Sequence, residues 1–269
     1  MTPRDRDLVA ELCGQRAGLA IDPDKAYLIE NRLAPVARRT NYTSVHDLMI
    51  AVRDRGDERL TWAVVEAMSP AETTFFRDAP TLDAVIDDLF EEFTPGRQSE
   101  PVRIWSASCG TGQEAYSLAM LLAERAPGGA EVELFASDIS ERRLEVAQAG
   151  VYSQFEVQRG LSARRLVRYF ESQDERFALS PHLRRTVRWR RINLLDDPTR
   201  LGRFDLIVCR HLLGGLVEKA RERVIANLSG ALKPQGRLLC ATSDPTPGLT
   251  AEPRRPGLFS HSGRIQAAA

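Results

Sequence analysis

From Val102 onward the chain alternates short apolar runs with amphipathic stretches, and this constrains the fold more than any other feature. Residues 102–108 (VRIWSAS), 132–138 (VELFASD), 204–210 (FDLIVCR) and 236–242 (GRLLCAT) read as strands. Helical periodicity fills 113–125, 140–149 and 217–232. Strands that alternate with helices in this way bury their apolar runs in a parallel sheet covered on both faces. The expected architecture is α/β: a small α-helical N-terminal domain over residues 1–70, a linker and helix over 71–94, and a doubly wound, mostly parallel-sheet domain over 95–269. Between 150 and 193 the alternation breaks. A helix at 162–170 and β-rich pieces at 177–179 and 186–192 read as an inserted small antiparallel β-subdomain over 150–191, leading into another core strand.

The first seventy residues read as four helices. Asp22-Pro23 is placed to cap and open the second, and Ser44 to cap the third. A further helix carries Leu82, Val85, Ile86 and Leu89 on one face and stops at Thr94-Pro95-Gly96. The 37 basic and 37 acidic residues cancel, which speaks against a uniformly basic nucleic-acid binder. No apolar run is long enough to span a membrane, and the first ten residues lack a secretory apolar core. Cys13, Cys109, Cys209 and Cys240 form no CxxC, so a reduced, cytoplasmic chain without disulfides or a metal site is expected. Charge is uneven, with 12 basic against 6 acidic residues over 150–203. The stretch His182 to Arg191 (HLRRTVRWRR) has two readings: a docking face for an acidic partner, or a strand with its arginines turned to solvent.

The chemistry concentrates in Ser106-Ala107-Ser108-Cys109-Gly110-Thr111-Gly112-Gln113-Glu114, which ends a strand and opens a helix. Gly110 and Gly112 permit a tight turn and a close ligand. Asp138, at the end of the next strand, can accept both hydrogens of a ribose diol. A dinucleotide would need its pyrophosphate where Gln113 and Glu114 stand, and a carboxylate repels it. Glu114 suits a cation or an amino group, which favours S-adenosylmethionine, whose sulfonium and α-amino group are both positive. The plainer alternative is a tight turn with a capping aspartate.

These motifs resemble, nearly end to end, those of the CheR-type chemotaxis receptor (protein-glutamate O-) methyltransferases. The resemblance is carried by residues 73–78 (TTFFRD), 105–117 (WSASCGTGQEAYS), Ala136-Ser137-Asp138-Ile139, Asn193-Leu194, 204–210, and Leu232-Lys233-Pro234-Gln235-Gly236. It implies methylation of glutamate side chains on chemoreceptors, with S-adenosylmethionine as cofactor and S-adenosylhomocysteine as product. The cytoplasmic domain of the receptor would dock through the 150–191 subdomain onto a monomeric enzyme. Carried over, Thr73 and Arg77 lie near the methionine end, with Arg77 the catalytic candidate that holds the incoming carboxylate. Ser108, Gly110 and Gly112 form the cofactor loop; Glu114 meets the amino group and Asp138 the ribose. Asn193 and Leu194 flank the adenine, and Arg210 and His211 close the site. The chain departs from the family pattern at Ala71, at Gln113-Glu114-Ala115-Tyr116, at His211 in place of an asparagine, and at Gly215 where a tyrosine is expected. A catalytically weak or inactive cofactor-binding regulator is therefore the alternative. A nucleic-acid methyltransferase would carry an Asp/Asn-Pro-Pro-aromatic segment where Cys209-Arg210-His211-Leu212 stands.

Overall fold

The computed structural model describes residues 1–70, 73–93, 100–126, 130–242, 244 and 246–261. Ala71, the Thr94-Pro95-Gly96 stop signal, Ser243 and Pro245 lie outside the described residues. The chain divides into two compact units: Met1–Pro70 with Leu212–Val224, and Ala71–His211 with Ile225–Ala269.

The first unit contains α1 (Pro3–Ala17), α2 (Ala26–Arg39), α3 (Val45–Arg55) and α4 (Glu58–Met68). Thr2, Ser44 and Asp57 accept hydrogen bonds from first-turn N–H groups, which satisfies donors that have no partner within the helix. Val9, Ile29, Leu33, Leu48, Val64 and Met68 form the core. Asp22-Pro23 does not open α2. Asp22 Oδ1 instead accepts the Asp24 N–H at 3.0 Å in a local turn, and Lys25 precedes the helix without a side-chain cap. A later segment, inside the stretch assigned from sequence to the second domain, completes this unit. Gly215 C=O accepts the Ala20 N–H at 2.9 Å, and Val217 N–H donates to Gly18 C=O at 2.8 Å.

The second unit opens with α5 (Ala79–Phe93), β1 (Val102–Ala107), α6 (Gln113–Arg125), β2 (Val132–Asp138) and α7 (Glu141–Ala149). Then come β3 (Val151–Ser153), α8 (Gln154–Gln158), α9 (Ala163–Tyr169), β4 (Phe170–Gln173), β5 (Arg176–Leu179) and α10 (Pro181–Arg184). β6 (Val187–Arg191) and β7 (Phe204–Val208) follow; after α11 (Glu218–Gly230) come β8 (Leu232–Leu239), β9 (Leu249–Ala251) and β10 (Leu258–His261). The main sheet runs β6-β2-β1-β7-β8-β10-β9. It is parallel from β6 to β8, with β10 antiparallel to both neighbours. The small sheet β3-β5-β4 is antiparallel. β7 is buried along its whole length, as its nearly continuous apolar run requires, and its one charged residue, Asp205, pairs with Lys233 at 2.9 Å.

The β-subdomain is shorter than the 150–191 span expected from sequence. Its sheet ends at Leu179, and β6 is the edge of the main sheet, in register with β2 from Leu134↔Val187 to Asp138↔Arg191. The cause is alternation along β6. Val187 and Trp189 turn inward, where Trp189 meets Tyr116 edge-on at 5.4 Å, while Arg188 and Arg190 take the opposite face. No described helix is long and apolar enough to cross a membrane.

Candidate cofactor and methyl-transfer site

The loops after β1, β2, β6 and β7 gather at the carboxyl edge of the parallel sheet, where ligands of doubly wound folds bind. The loop after β1 is held from both sides. Cys109 N–H donates to Ser137 C=O at 2.9 Å, and Gly112 N–H to Cys109 C=O at 3.0 Å. Gly112 sits at φ +94°, and a Cβ there would stand 2.8 Å from Ala147 Cβ and 3.1 Å from the Trp189 ring. Close packing of α6 on α7 and β6 therefore demands this glycine, in addition to the turn. Ser108, half-buried, takes φ +63°.

Asp138 brackets this loop from the end of β2. Its Oδ2 accepts the Gly110 N–H and its Oδ1 the Ser140 N–H, both at 2.9 Å, with Arg143 Nη1 3.6 Å from Oδ1. The side chain is 2% exposed. A carboxylate offers about four acceptor positions, so two remain for a ligand. Sequence reasoning identified Asp138 but not its counter-ion Arg143, which no motif marks.

Glu114 is buried on the first turn of α6. The cation it meets in the structure is Arg210, whose Nε donates to Oε2 at 2.8 Å. Ser106 Oγ lies 3.4 Å from the other carboxylate oxygen. Arg210 Nη1 donates to the Arg77 C=O at 2.8 Å. Arg210 Nη2 is 2.8 Å from Glu114 Oε2 yet has no hydrogen-bond partner. Two groups so thoroughly desolvated must pair, and the pair leaves an unspent donor beside an acceptor with spare lone pairs.

The stretch Thr73–Asp78 is bolted to the same unit. Phe76 N–H donates to Ser117 Oγ at 2.8 Å, and Arg165 stacks over the Phe76 ring at 3.9 Å. Phe75 meets Tyr152 and Phe170 edge-on, and a Cβ on Gly160 would stand 1.8 Å from the Phe75 carbonyl oxygen. Phe76 (φ 47°) and Asp78 (φ 56°) flank Arg77 in the left-handed region. Arg77 and Thr73 are half-buried, and Arg77 has no ion-pair partner among the described residues. His211 is exposed at φ +66°. Desolvation, reinforced by the charges of Arg77 and Arg210, lowers its imidazole pKa from the usual value. Of six non-glycine residues at positive φ among the described residues, four (Phe76, Asp78, Ser108 and His211) lie in these edge loops. Strain so concentrated is a mark of functional loops.

Asn193 and Leu194 follow β6 at the same edge. Asn193 Oδ1 accepts the Leu195 N–H at 3.1 Å, and the Leu194 C=O accepts from Asn227 Nδ2 at 2.9 Å. Two residues that sequence reasoning missed clamp the loop after β1 from the small subdomain. Tyr152 Oη donates to Thr111 C=O at 2.8 Å, and Glu156 accepts from Gln113 Nε2 at 3.3 Å. Ser153-x-x-Glu156 is a legible capping box, but nothing in it announces the second task of Glu156. Gly215, the position of the expected tyrosine, belongs to the other unit, where a Cβ would have only Pro70 within reach, at 4.0 Å. The four cysteines are buried, and burial raises their thiol pKa values, to about 12 for Cys13 and Cys240. They are packing residues, not nucleophiles.

Fold and site together define an α/β protein with a glycine-bearing loop and buried charges at the carboxyl edge of its sheet, where doubly wound folds bind ligands. Comparison with known proteins narrows the class. Residues 71–253 match the family model "CheR methyltransferase, SAM binding domain". The chemotaxis protein methyltransferase of Vibrio parahaemolyticus is 35% identical over 240 residues, 87% of this chain and 86% of its own. Chemotaxis protein methyltransferase 1 of Pseudomonas aeruginosa is 32% identical over 247 residues, covering 89% of each chain. The protein belongs to the CheR methyltransferase family. It is an S-adenosylmethionine-dependent methyltransferase of the chemotaxis class.

Proposed function

We propose that the protein methylates glutamate side-chain carboxylates on the cytoplasmic domain of chemoreceptors, acting in the cytoplasm as a monomer. Its relatives' names and the family match support chemotaxis methylation in general. The single observation that carries the carboxylate assignment is Arg77, a half-buried guanidinium without an ion-pair partner among the described residues, on a strained loop whose backbone Arg210 holds.

The buried donors and acceptors fit the cofactor. Asp138 has two free acceptor positions for the ribose diol, Glu114 Oε1 for the α-amino group, and Arg210 Nη2 an unspent donor for the α-carboxylate. Thr73, Ser108, Gly110, Gly112 and His211 complete the wall, and Asn193 and Leu194 flank the adenine. When bound, S-adenosylmethionine supplies a methyl group activated by the sulfonium. The incoming glutamate needs no general base, since a carboxylate with an ordinary pKa of about 4.3 is ionised at neutral pH. Arg77 orients it with a planar fork. The work left to the protein is alignment and exclusion of water. The receptor docks on the small subdomain around the sheet β3-β5-β4, where Tyr152 of β3 and Glu156 of α8 touch the cofactor loop.

The test is Arg77→Ala. Transfer of labelled methyl to a receptor cytoplasmic fragment falls by at least about tenfold, roughly 1.4 kcal/mol, while S-adenosylhomocysteine affinity stays within about threefold. Unchanged transfer contradicts the assignment. A second reading, a cofactor-binding regulator with weak turnover, rests on Gly215, which stands where the family pattern has a tyrosine. Tight cofactor binding with no transfer, and transfer restored by Gly215→Tyr, selects it.

A further inference from the structure

On the face of the main sheet opposite Ala136 and Trp189 lies a cavity of about 300 Å³ that methyl transfer does not use. Its walls are Arg103 of β1, Arg188 and Arg190 of β6, and Arg200 of the turn before β7. Glu133 is the one carboxylate lining it. Both of its oxygens are occupied, by Arg103 Nε at 2.9 Å and Arg188 Nη1 at 3.1 Å. Arg103 is engaged at all three nitrogens, since its Nη1 and Nη2 donate to the carbonyls of Arg203 and Leu201 at 2.9 and 2.8 Å. Arg188 is spent on one side only and its side chain is 72% exposed. Arg190 and Arg200 have no ion-pair partner among the described residues. The site thus holds a fixed wall and three guanidinium groups with unspent donors.

The floor is aromatic. Phe135 is partly exposed and stacks against Phe204 with centroids 6.0 Å apart at 27°, and Arg103 lies 4.6 Å over the Phe204 ring. Edge-strand arginines that served only to keep other strands away would need neither a cavity nor a ring beneath them. Guanidinium forks match phosphate geometry, and an accessible ring accepts a flat base. The volume is at the lower end of the small-ligand range, too small for a folded partner.

We propose that this cavity binds a nucleoside phosphate, with its base against Phe135 and its phosphates in the forks of Arg188, Arg190 and Arg200. The site is separate from the cofactor loops, and the proposal does not rest on the methyl-transfer reading. It gives the protein a second nucleotide input.

Calorimetric titration of the full chain, saturated with S-adenosylhomocysteine to fill the cofactor site, tests it. The probes are ATP and GTP, the corresponding nucleosides, inorganic pyrophosphate and a hexaglutamate peptide. A nucleotide binds at one equivalent, and the nucleoside alone and pyrophosphate alone each bind at least about tenfold more weakly. Affinity falls as salt rises. The double variant Arg190→Ala/Arg200→Ala loses at least about tenfold in nucleotide affinity, and Phe135→Leu about threefold, with S-adenosylhomocysteine affinity and melting temperature unchanged. Absence of binding at millimolar nucleotide, equal affinity in the double variant, displacement of S-adenosylhomocysteine by the nucleotide, or hexaglutamate binding as tightly as the nucleotide would each overturn the assignment. If S-adenosylhomocysteine itself does not bind, the comparison of nucleotide affinity between natural chain and double variant still decides.

Discussion

The helical unit and the carboxyl-edge loops obey opposite rules. In the helical unit Thr2, Ser44 and Asp57 cap their helices, and Asn41 is its one residue other than glycine at positive φ among the described residues. Its buried carboxylate, Asp5, is satisfied locally: it accepts the Thr2 N–H at 2.6 Å and pairs with His46 Nδ1 at 2.8 Å. At the sheet edge, Phe76, Asp78, Ser108 and His211 are strained, and Glu114, Asp138 and Arg210 are buried charges. Such charges contribute little net stability, because desolvation consumes most of what their pairing returns. The difference teaches where the fold is secured by local bonds and where buried charges depend on distant partners. Caps and apolar faces stabilise the first region; the second is held in a costly arrangement by its surroundings.

The largest break in this contrast is Glu114→Ala, which strands the Arg210 guanidinium away from water. We expect about 3–5 kcal/mol of destabilisation in urea unfolding, and Glu114→Ala/Arg210→Met to recover much of it without restoring cofactor affinity. Recovery of affinity along with stability would show the pair to be a scaffold only. Next comes Asp5→Ala. It costs about 2 kcal/mol of stability through lost hydrogen bonds and leaves S-adenosylhomocysteine affinity unaltered. The same group has a pH signature. Burial raises the Asp5 pKa, but the Thr2 backbone and hydroxyl bonds and His46 outweigh it and hold the folded value below the ordinary one. Its contribution is therefore complete above the unfolded value of about 3.9, and it is lost as pH falls through the lower folded value. Acid melts of Asp5→Ala should converge with those of the natural chain below that window. The smallest effect is Ser108→Gly: relief of a left-handed serine raises stability by about 1 kcal/mol without improving cofactor affinity. A loss of stability would show that Ser108 is not strained.

Much of this was legible because it is local. Ser44, Asp57, Ser140 and Ser162 announce helix starts, and the structure gives each a bond to a first-turn N–H. The apolar runs of β1, β2 and β7 announce a covered sheet. What depends on distant partners was not legible. Glu114 and Arg210 lie 96 positions apart, so the cation expected for Glu114 was identified by chemistry alone, and its first partner turned out to be within the chain. The 150–191 span takes β6 into the insertion, whereas only pairing with β2 reveals that it belongs to the main sheet and which face its arginines occupy. β9 is three residues long and exists through β10 alone, a cross-strand partner that periodicity does not report. Asp22-Pro23 failed as a helix start because the aspartate bonds its own turn, which competes with capping.

The central claim is that the carboxylate of Asp138, already holding the Gly110 and Ser140 N–H groups, also grips the cofactor's ribose. Calorimetric titration of S-adenosylhomocysteine into Asp138→Asn tests it most directly, since the substitution keeps size and one acceptor oxygen while removing the charge. The account predicts an affinity at least about thirtyfold below that of the natural chain, roughly 2 kcal/mol. Equal affinity in the two proteins would contradict it.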